Sequence, residues 1–155
     1  MKVGIIADTH DNMPAIDEAV DMFRREKVDA LIHAGDIIAP FAAERFKGAY
    51  IVYGNNDGER RGLRERCPGI DDFVEITLDG RHIAVVHGTQ PAMVRALVDG
   101  GRYDLVVTGH THRPLIERRG GTLLINPGEA CGYLTGKRTL ALVDLKEMRA
   151  EIVDF

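Results

Sequence analysis

The sequence predicts an α/β protein in which helices cover sheets that pack on one another. Three observations carry this. Apolar runs of strand length alternate with amphipathic helical segments in the first half. Hairpin signals dominate the second half. The apolar runs also end repeatedly at a glycine or polar turn bearing Asp, Asn or His. β-α-β units followed by hairpins bury their apolar faces when helices and sheets stack in layers.

Lys2–Ala7 reads as a buried strand. Pro14 suits a first helical turn, with Asp11 or Asn12 as its cap. Ile16, Ala19, Val20 and Phe23 then form one helical face. Asp17 and Glu18 lie early and Arg24, Arg25 and Lys27 late, as the helix dipole prefers. Ala30–Ala34 is a second buried strand, and a short helix should run from Pro40 to a stop at Gly48. Tyr50–Tyr53 is a third strand, followed by a charged helical segment over Glu59–Arg66 that ends at Pro68-Gly69. Val74, Ile76 and Leu78 alternate with polar residues, and Asp79-Gly80 turns the chain into Arg81–Val86. Pro91–Val98 reads as a helix stopped by Gly100-Gly101. Leu105–Thr108 is a further strand, Pro114–Glu117 and Thr122–Ile125 flank a glycine turn, and Thr139–Leu145 with Glu151–Phe155 form a last pair.

The 155 residues suit one domain, 1–155, with a real core. A formal net charge of −4 argues against a nonspecific grip on duplex nucleic acid, although bound cations would add positive charge locally. Cys67 and Cys131 make neither a metal spacing nor a disulfide framework and read as reduced thiols. No apolar run approaches membrane length, and no basic leader with a cleavage site precedes the first strand. A cytoplasmic protein with no membrane partner is expected.

The strand ends hold the chemistry. Asp8-Thr9-His10, Gly35-Asp36, Gly54-Asn55-Asn56-Asp57, His87-Gly88 and Gly109-His110-Thr111-His112 each follow an apolar run. Any one has an ordinary explanation: a turn carboxylate, a helix cap, a loop histidine. Together they place four of the six histidines beyond strand ends, where sites of α/β sheets gather. In extended chain, residues i and i+2 point to one side, so Asp8 with His10, and His110 with His112, could each clamp an ion. Asp36 has two oxygens and could bridge two cations. Two carboxylates beside neutral amide and imidazole ligands would leave two divalent ions with surplus positive charge, suited to a hydroxide and a phosphate anion. Nitrogen and oxygen ligands without thiolate suit Mn, Ni, Co, Fe or Zn, with manganese the first expectation.

On these residues the chain resembles the calcineurin-like metallophosphoesterases. The pattern D-x-H, G-D, G-N-[HD], H, G-H-x-H is met in order by Asp8-Thr9-His10, Gly35-Asp36, Gly54-Asn55, His87 and Gly109-His110-Thr111-His112. The short length, the Gly54–Asp57 box and Asn126-Pro127-Gly128-Glu129 look most like the compact YfcE-type phosphodiesterases. The resemblance implies a four-layer α/β/β/α sandwich of two packed mixed sheets. It implies one metal on Asp8, His10 and His112, a second on Asn55, His87 and His110, and Asp36 bridging them. It further implies phosphodiester hydrolysis by in-line attack of a metal-bridging hydroxide, a small phosphodiester substrate, and a homo-oligomer, dimer or tetramer.

Asp36, Asn56 and His110 are the residues expected to act in catalysis. Many members of the family carry histidine where this chain has Asn56, and an amide cannot act as a general acid. Weak activity on phosphomonoesters follows, with Asn56 limited to a phosphate contact. His33 reads as a packed or orienting residue, His82 as structural and Arg113 as a surface residue; Asn126 reads equally as a site contact or an Asn-Pro turn. Two rival readings are a non-catalytic scaffold of the same fold and a nuclease of the same superfamily. The complete ligand set argues against the first, and the acidic balance against the second.

Overall fold

In the computed structural model, which describes residues 1–155, ten strands form two five-stranded sheets. The first half supplies β1 (Lys2–Ile6), α1 (Met13–Arg25), β2 (Ala30–His33), α2 (Pro40–Ala43), β3 (Tyr50–Ile51) and α3 (Arg60–Arg66). The second supplies β4 (Phe73–Leu78), β5 (Arg81–Val86), α4 (Pro91–Asp99), β6 (Leu105–Val107), β7 (Leu115–Arg119), β8 (Thr122–Asn126), β9 (Thr139–Asp144) and β10 (Arg149–Asp154). The first sheet runs β10-β9-β1-β2-β3 and the second β4-β5-β6-β8-β7. In the first, β1, β2 and β3 are parallel with β3 at the edge, and β9 and β10 add antiparallel strands beside β1; in the second, the parallel strands β5, β6 and β8 are flanked by antiparallel β4 and β7.

Alternation along the strands sorts the core into layers. Val3, Ile5, Ile32, Ala141 and Val143 face inward from the first sheet and meet Ile83, Val85, Leu105, Val107, Leu123 and Ile125 from the second. The intervening residues face outward. Ile6, Leu140 and Leu142 pack under Ile16, Ala19 and Phe23 of α1 and under Phe46 and Leu63. On the far side, Ala84, Val106 and Leu124 meet Val98 and Tyr103. The result is α/β/β/α, as expected. Gly4 permits the closest of these approaches, since a Cβ there would lie 2.6 Å from the Phe23 ring. No helix is long and apolar enough to cross a membrane.

Local details follow from side-chain chemistry. Asn12 caps α1 by accepting from the Ala15 N–H at 3.3 Å. The helix begins at Met13, so Asp17 and Glu18 fall beyond its first turn. The dipole match read from the sequence therefore rests on Arg24 and Arg25 alone. The helix after Pro40 continues as a 3₁₀ turn over Glu44–Phe46. The third strand is shorter than expected: past Ile51, Val52 keeps a hydrogen bond to the His33 carbonyl at 3.1 Å and a bridge to Asp71 before the chain turns into the site. Asp79-Gly80 turns with both residues at positive φ, as a tight hairpin requires.

Candidate metal centre

The loops that follow β1, β2, β3, β5 and β6 meet at one end of both sheets. Asp8 and His10 leave β1, Asp36 leaves β2, Asn55 and Asn56 follow β3, His87 follows β5, and His110 and His112 follow β6. The first sheet thus brings two carboxylates, two amides and one imidazole, and the second brings three imidazoles.

The loop backbone is held by its own ladder. The Asp8 N–H donates to the Gly35 carbonyl at 3.0 Å, and the Thr9 and His10 N–H groups share the Asp36 carbonyl at 3.1 Å. Asp57 clamps two loops together. Its carboxylate accepts from the N–H groups of Gly54 at 2.7 Å, Asp36 at 3.1 Å and Ile38 at 2.7 Å. Gly54 has no freedom to be anything larger, because a Cβ would collide with the Asp36 side chain.

Asp8 and His10 do not converge through extended backbone, as the i, i+2 reading supposed. Asp8, His10, Asp36, His110 and His112 have φ of 51°, 42°, 60°, 66° and 59°. Asp and His tolerate this left-handed region better than most residues, at a cost of roughly 1 kcal/mol each. The tight curl, rather than the pleat of a strand, aims these side chains inward.

Their atoms converge closely. Asp8 Oδ1 lies 3.5 Å from His112 Nε2 and 4.0 Å from both His10 Nε2 and His87 Nε2. Asp36 Oδ2 lies 3.6 Å from His10 Nε2 and 3.4 Å from His87 Nε2. The ligand atoms of Asp8, His10, Asp36 and His112 all fall within 4.8 Å of one another. On the other side of Asp36, Asn55 Oδ1 is 3.1 Å from His87 Nε2, and the His110 ring centroid is 5.2 Å from that of His87.

These residues fit a divalent cation. Asp8 Oδ1 and His10 Nε2 are buried with no hydrogen-bond partner, and both are aimed at the shared centre. A buried polar atom left unpaired costs about 1–3 kcal/mol, which coordination would remove. The imidazole tautomers agree. His87 Nδ1 lies 2.7 Å from the Ala34 carbonyl and His112 Nδ1 lies 2.7 Å from Glu129 Oε2. Each must donate there, so each Nε2 is the nitrogen left to bind a cation once it carries no proton.

The electrostatics favour a cation too. Burial pushes the Asp8 carboxyl up to about 6, against the pull of His87 and His112. Burial also opposes charge on Asp36, but the bonds it accepts from His87 and Asn56 outweigh burial and hold it well below the usual carboxylate range. A cation binding Asp8 below pH 6 must displace a proton; above pH 6 that cost is gone. Burial opposes charge on His87, but Asp36 raises its pKa, so His87 must also give up a proton. Cation affinity should therefore fall by at least tenfold per pH unit as pH drops below 6. Calorimetry of Mn²⁺ binding at pH 5 and pH 7 checks this, and equal affinity at both would contradict it.

Asn56 occupies an unexpected place. Its N–H donates to Asp36 Oδ1 at 2.9 Å and its amide to Asp36 Oδ2 at 2.7 Å. One amide hydrogen is thus committed to the carboxylate, and one remains for a ligand. His33 is fully buried and outside the ligand set. It accepts from the Gly35 N–H through Nδ1 at 3.1 Å, so Nε2 donates to Thr9 Oγ1, also at 3.1 Å, and burial pulls its pKa down to about 3. Asn126 donates to the Gly109 carbonyl at 2.6 Å and to Thr111 Oγ1 at 3.1 Å, which braces the loop carrying His110 and His112. Arg113 is exposed, and His82 pairs with Thr77 on the hairpin surface.

Two further residues carry weight that the sequence did not signal. In the sequence, Asp57 stands only as the end of the Gly54–Asp57 box. Glu129 is fully buried and accepts from His112, Cys131, Leu134 and Thr135. Burial opposes its charge, yet His112 and Thr135 win and hold it at about 2. Cys131 lies beside His10 and His112, but burial pushes its thiol up to about 12, so it stays a protonated donor to Glu129.

The model of the calcineurin-like phosphoesterase superfamily domain matches residues 1–148. A phosphodiesterase of Methanocaldococcus jannaschii is 39% identical over 99% of this chain and 100% of its own. Phosphodiesterase YfcE of Escherichia coli is 27% identical over 83% of this chain and 78% of its own. The solved structure of an archaeal phosphodiesterase superposes with a TM-score of 0.93 at 37% identity, covering 100% of both chains.

Proposed function

The chain belongs to the calcineurin-like phosphoesterase superfamily, and from that membership we propose that it is a dinuclear, metal-dependent phosphodiesterase, its 155 residues forming one catalytic domain. The observation that carries the reading is the pair of buried, unpartnered atoms Asp8 Oδ1 and His10 Nε2, surrounded by ligand atoms from both sheets. Similarity to proteins named phosphodiesterases supports the choice of substrate class.

Asp8, His10 and His112 would hold one divalent ion, Asn55, His87 and His110 the other, and Asp36 would serve both. When bound, such ions polarise a phosphoryl oxygen and lower the pKa of water towards neutrality. Glu129 and the Ala34 carbonyl fix the tautomers of His112 and His87. Asn56 keeps Asp36 ionised and offers its remaining amide hydrogen to a phosphate oxygen. His110 sits at the rim of the centre, half-buried, where it can meet substrate as well as metal. Manganese, nickel, cobalt, iron and zinc all suit this nitrogen and oxygen ligand set, and manganese is the one taken first into the test.

Asn56 cannot protonate a leaving group, so diesters with acidic leaving groups should be turned over well and alkyl monoesters poorly. The test is hydrolysis of bis(p-nitrophenyl) phosphate beside p-nitrophenyl phosphate, with Mn²⁺ and after chelation. Metal-dependent diester turnover above monoester turnover supports the reading. Folded protein inactive with Mn²⁺, Ni²⁺, Co²⁺ and Zn²⁺ would replace it by the scaffold reading.

Asn56→His should raise rates about tenfold on substrates with poor leaving groups and little on nitrophenyl esters. This falls below the ~10²–10⁴-fold typical of a general acid, because the variant forfeits the amide bond to Asp36. Equal gains across a leaving-group series would exclude an acid role at this position.

A further inference from the structure

A diester presents two substituents at phosphorus, and both must leave the metal centre. Two clefts open beside it, divided by Gly88 and Val94 at the start of α4. The first has a volume of about 320 Å³ and reaches the centre at Asn55 and His87. That volume lies near the small end of ligand sites and suits one ring system rather than a large ligand.

Its walls are specific in kind. The Arg60 guanidinium lies 4.3 Å over the Tyr53 ring centroid and forms two hydrogen bonds to Asp72, at 2.7 and 3.1 Å. One face of that planar group is spent on Tyr53, and its charge is matched by Asp72. Such a paired, flat group recognises a polarisable ring in preference to a second anion. Met93 lines the same cleft with 47% of its surface exposed, and Val86 and Val94 add apolar wall. A thioether on an open surface is an adaptable partner for aromatic rings. Thr89 and Gln90, both exposed, could meet polar edges of a ring.

The geometry points to this cleft as the subsite for a planar aromatic or heteroaromatic ester group, such as an aryl or nucleobase-bearing substituent of the diester. The inference rests on the phosphodiesterase reading only for the position of the phosphorus at the metal centre.

Calorimetry on Mn²⁺-loaded protein with phenylphosphonate and methylphosphonate tests it. The two probes share a phosphonate head and a P–C bond that is not an ester, and differ in the ring. Burying the ring should favour phenylphosphonate by about tenfold or more in the wild type. Met93→Ala or Arg60→Lys should cut that preference to about threefold or less, with methylphosphonate affinity unchanged. A wild-type preference below about tenfold, or one that survives both substitutions, overturns the subsite. Ring preference lost in the variants, in a wild type that hydrolyses no diester, would sustain the subsite and sink the phosphodiesterase reading.

Discussion

Replacing Asp36 by alanine should lower metal-dependent diester turnover by about 10³-fold or more, because both halves of the centre share this carboxylate. Its Oδ2 faces His10 on one side and His87 on the other, at 3.6 and 3.4 Å. Bonds from Asn56 fix both oxygens in place. Asp36→Ala leaves the flanking histidines without the charge that pairs two cations. Metal content measured beside kcat separates the cases: the variant should retain at most one ion per chain. Two ions per chain with full turnover would refute the bridging role.

Glu129→Gln should weaken cation binding by about 10–100-fold while the fold survives, the range seen when a residue that orients a ligand is lost. The exchange is nearly isosteric. It removes the charge that fixes the His112 proton on Nδ1, and it sets an amide NH₂ among the donors of Leu134 and Thr135. The loss should therefore show as a raised Kd for Mn²⁺, with kcat largely restored at saturating metal. Unchanged metal affinity in a folded variant would show that His112 needs no help to present Nε2.

Sequence reading reached the residues that converge at the candidate centre because donor chemistry is written in residue type. Asp8, His10, Asp36, Asn55, His87, His110 and His112 all lie at the loop ends where strand periodicity placed them. The layered fold was legible for the same reason, since the alternation in Val3–Ile6 and Ile83–Val86 already assigns two faces. What stayed hidden depends on partners far away in the chain. Glu129 looks like any turn acid until His112 is brought within 2.7 Å of it. Asp57 looks like the close of a polar box until it is seen to receive three backbone N–H groups from two loops. The left-handed curl at Asp8 and His10 was invisible as well. Neither residue is glycine, and only the ladder to Gly35 and Asp36 imposes that backbone.

The split origin of the ligands orders events in time. Asp8, His10, Asp36 and Asn55 arise from the first sheet, and His87, His110 and His112 from the second. Asp8 meets the backbone of His110 across 102 residues of chain. Neither half alone can assemble a full coordination sphere, so cations cannot template the early, local steps of folding. A cation held by residues of both sheets would bind after the sheets have docked, as a latch on a finished structure. Contacts of such long sequence separation form late and slowly. On the dinuclear reading, a folding chain would therefore take up its cations last.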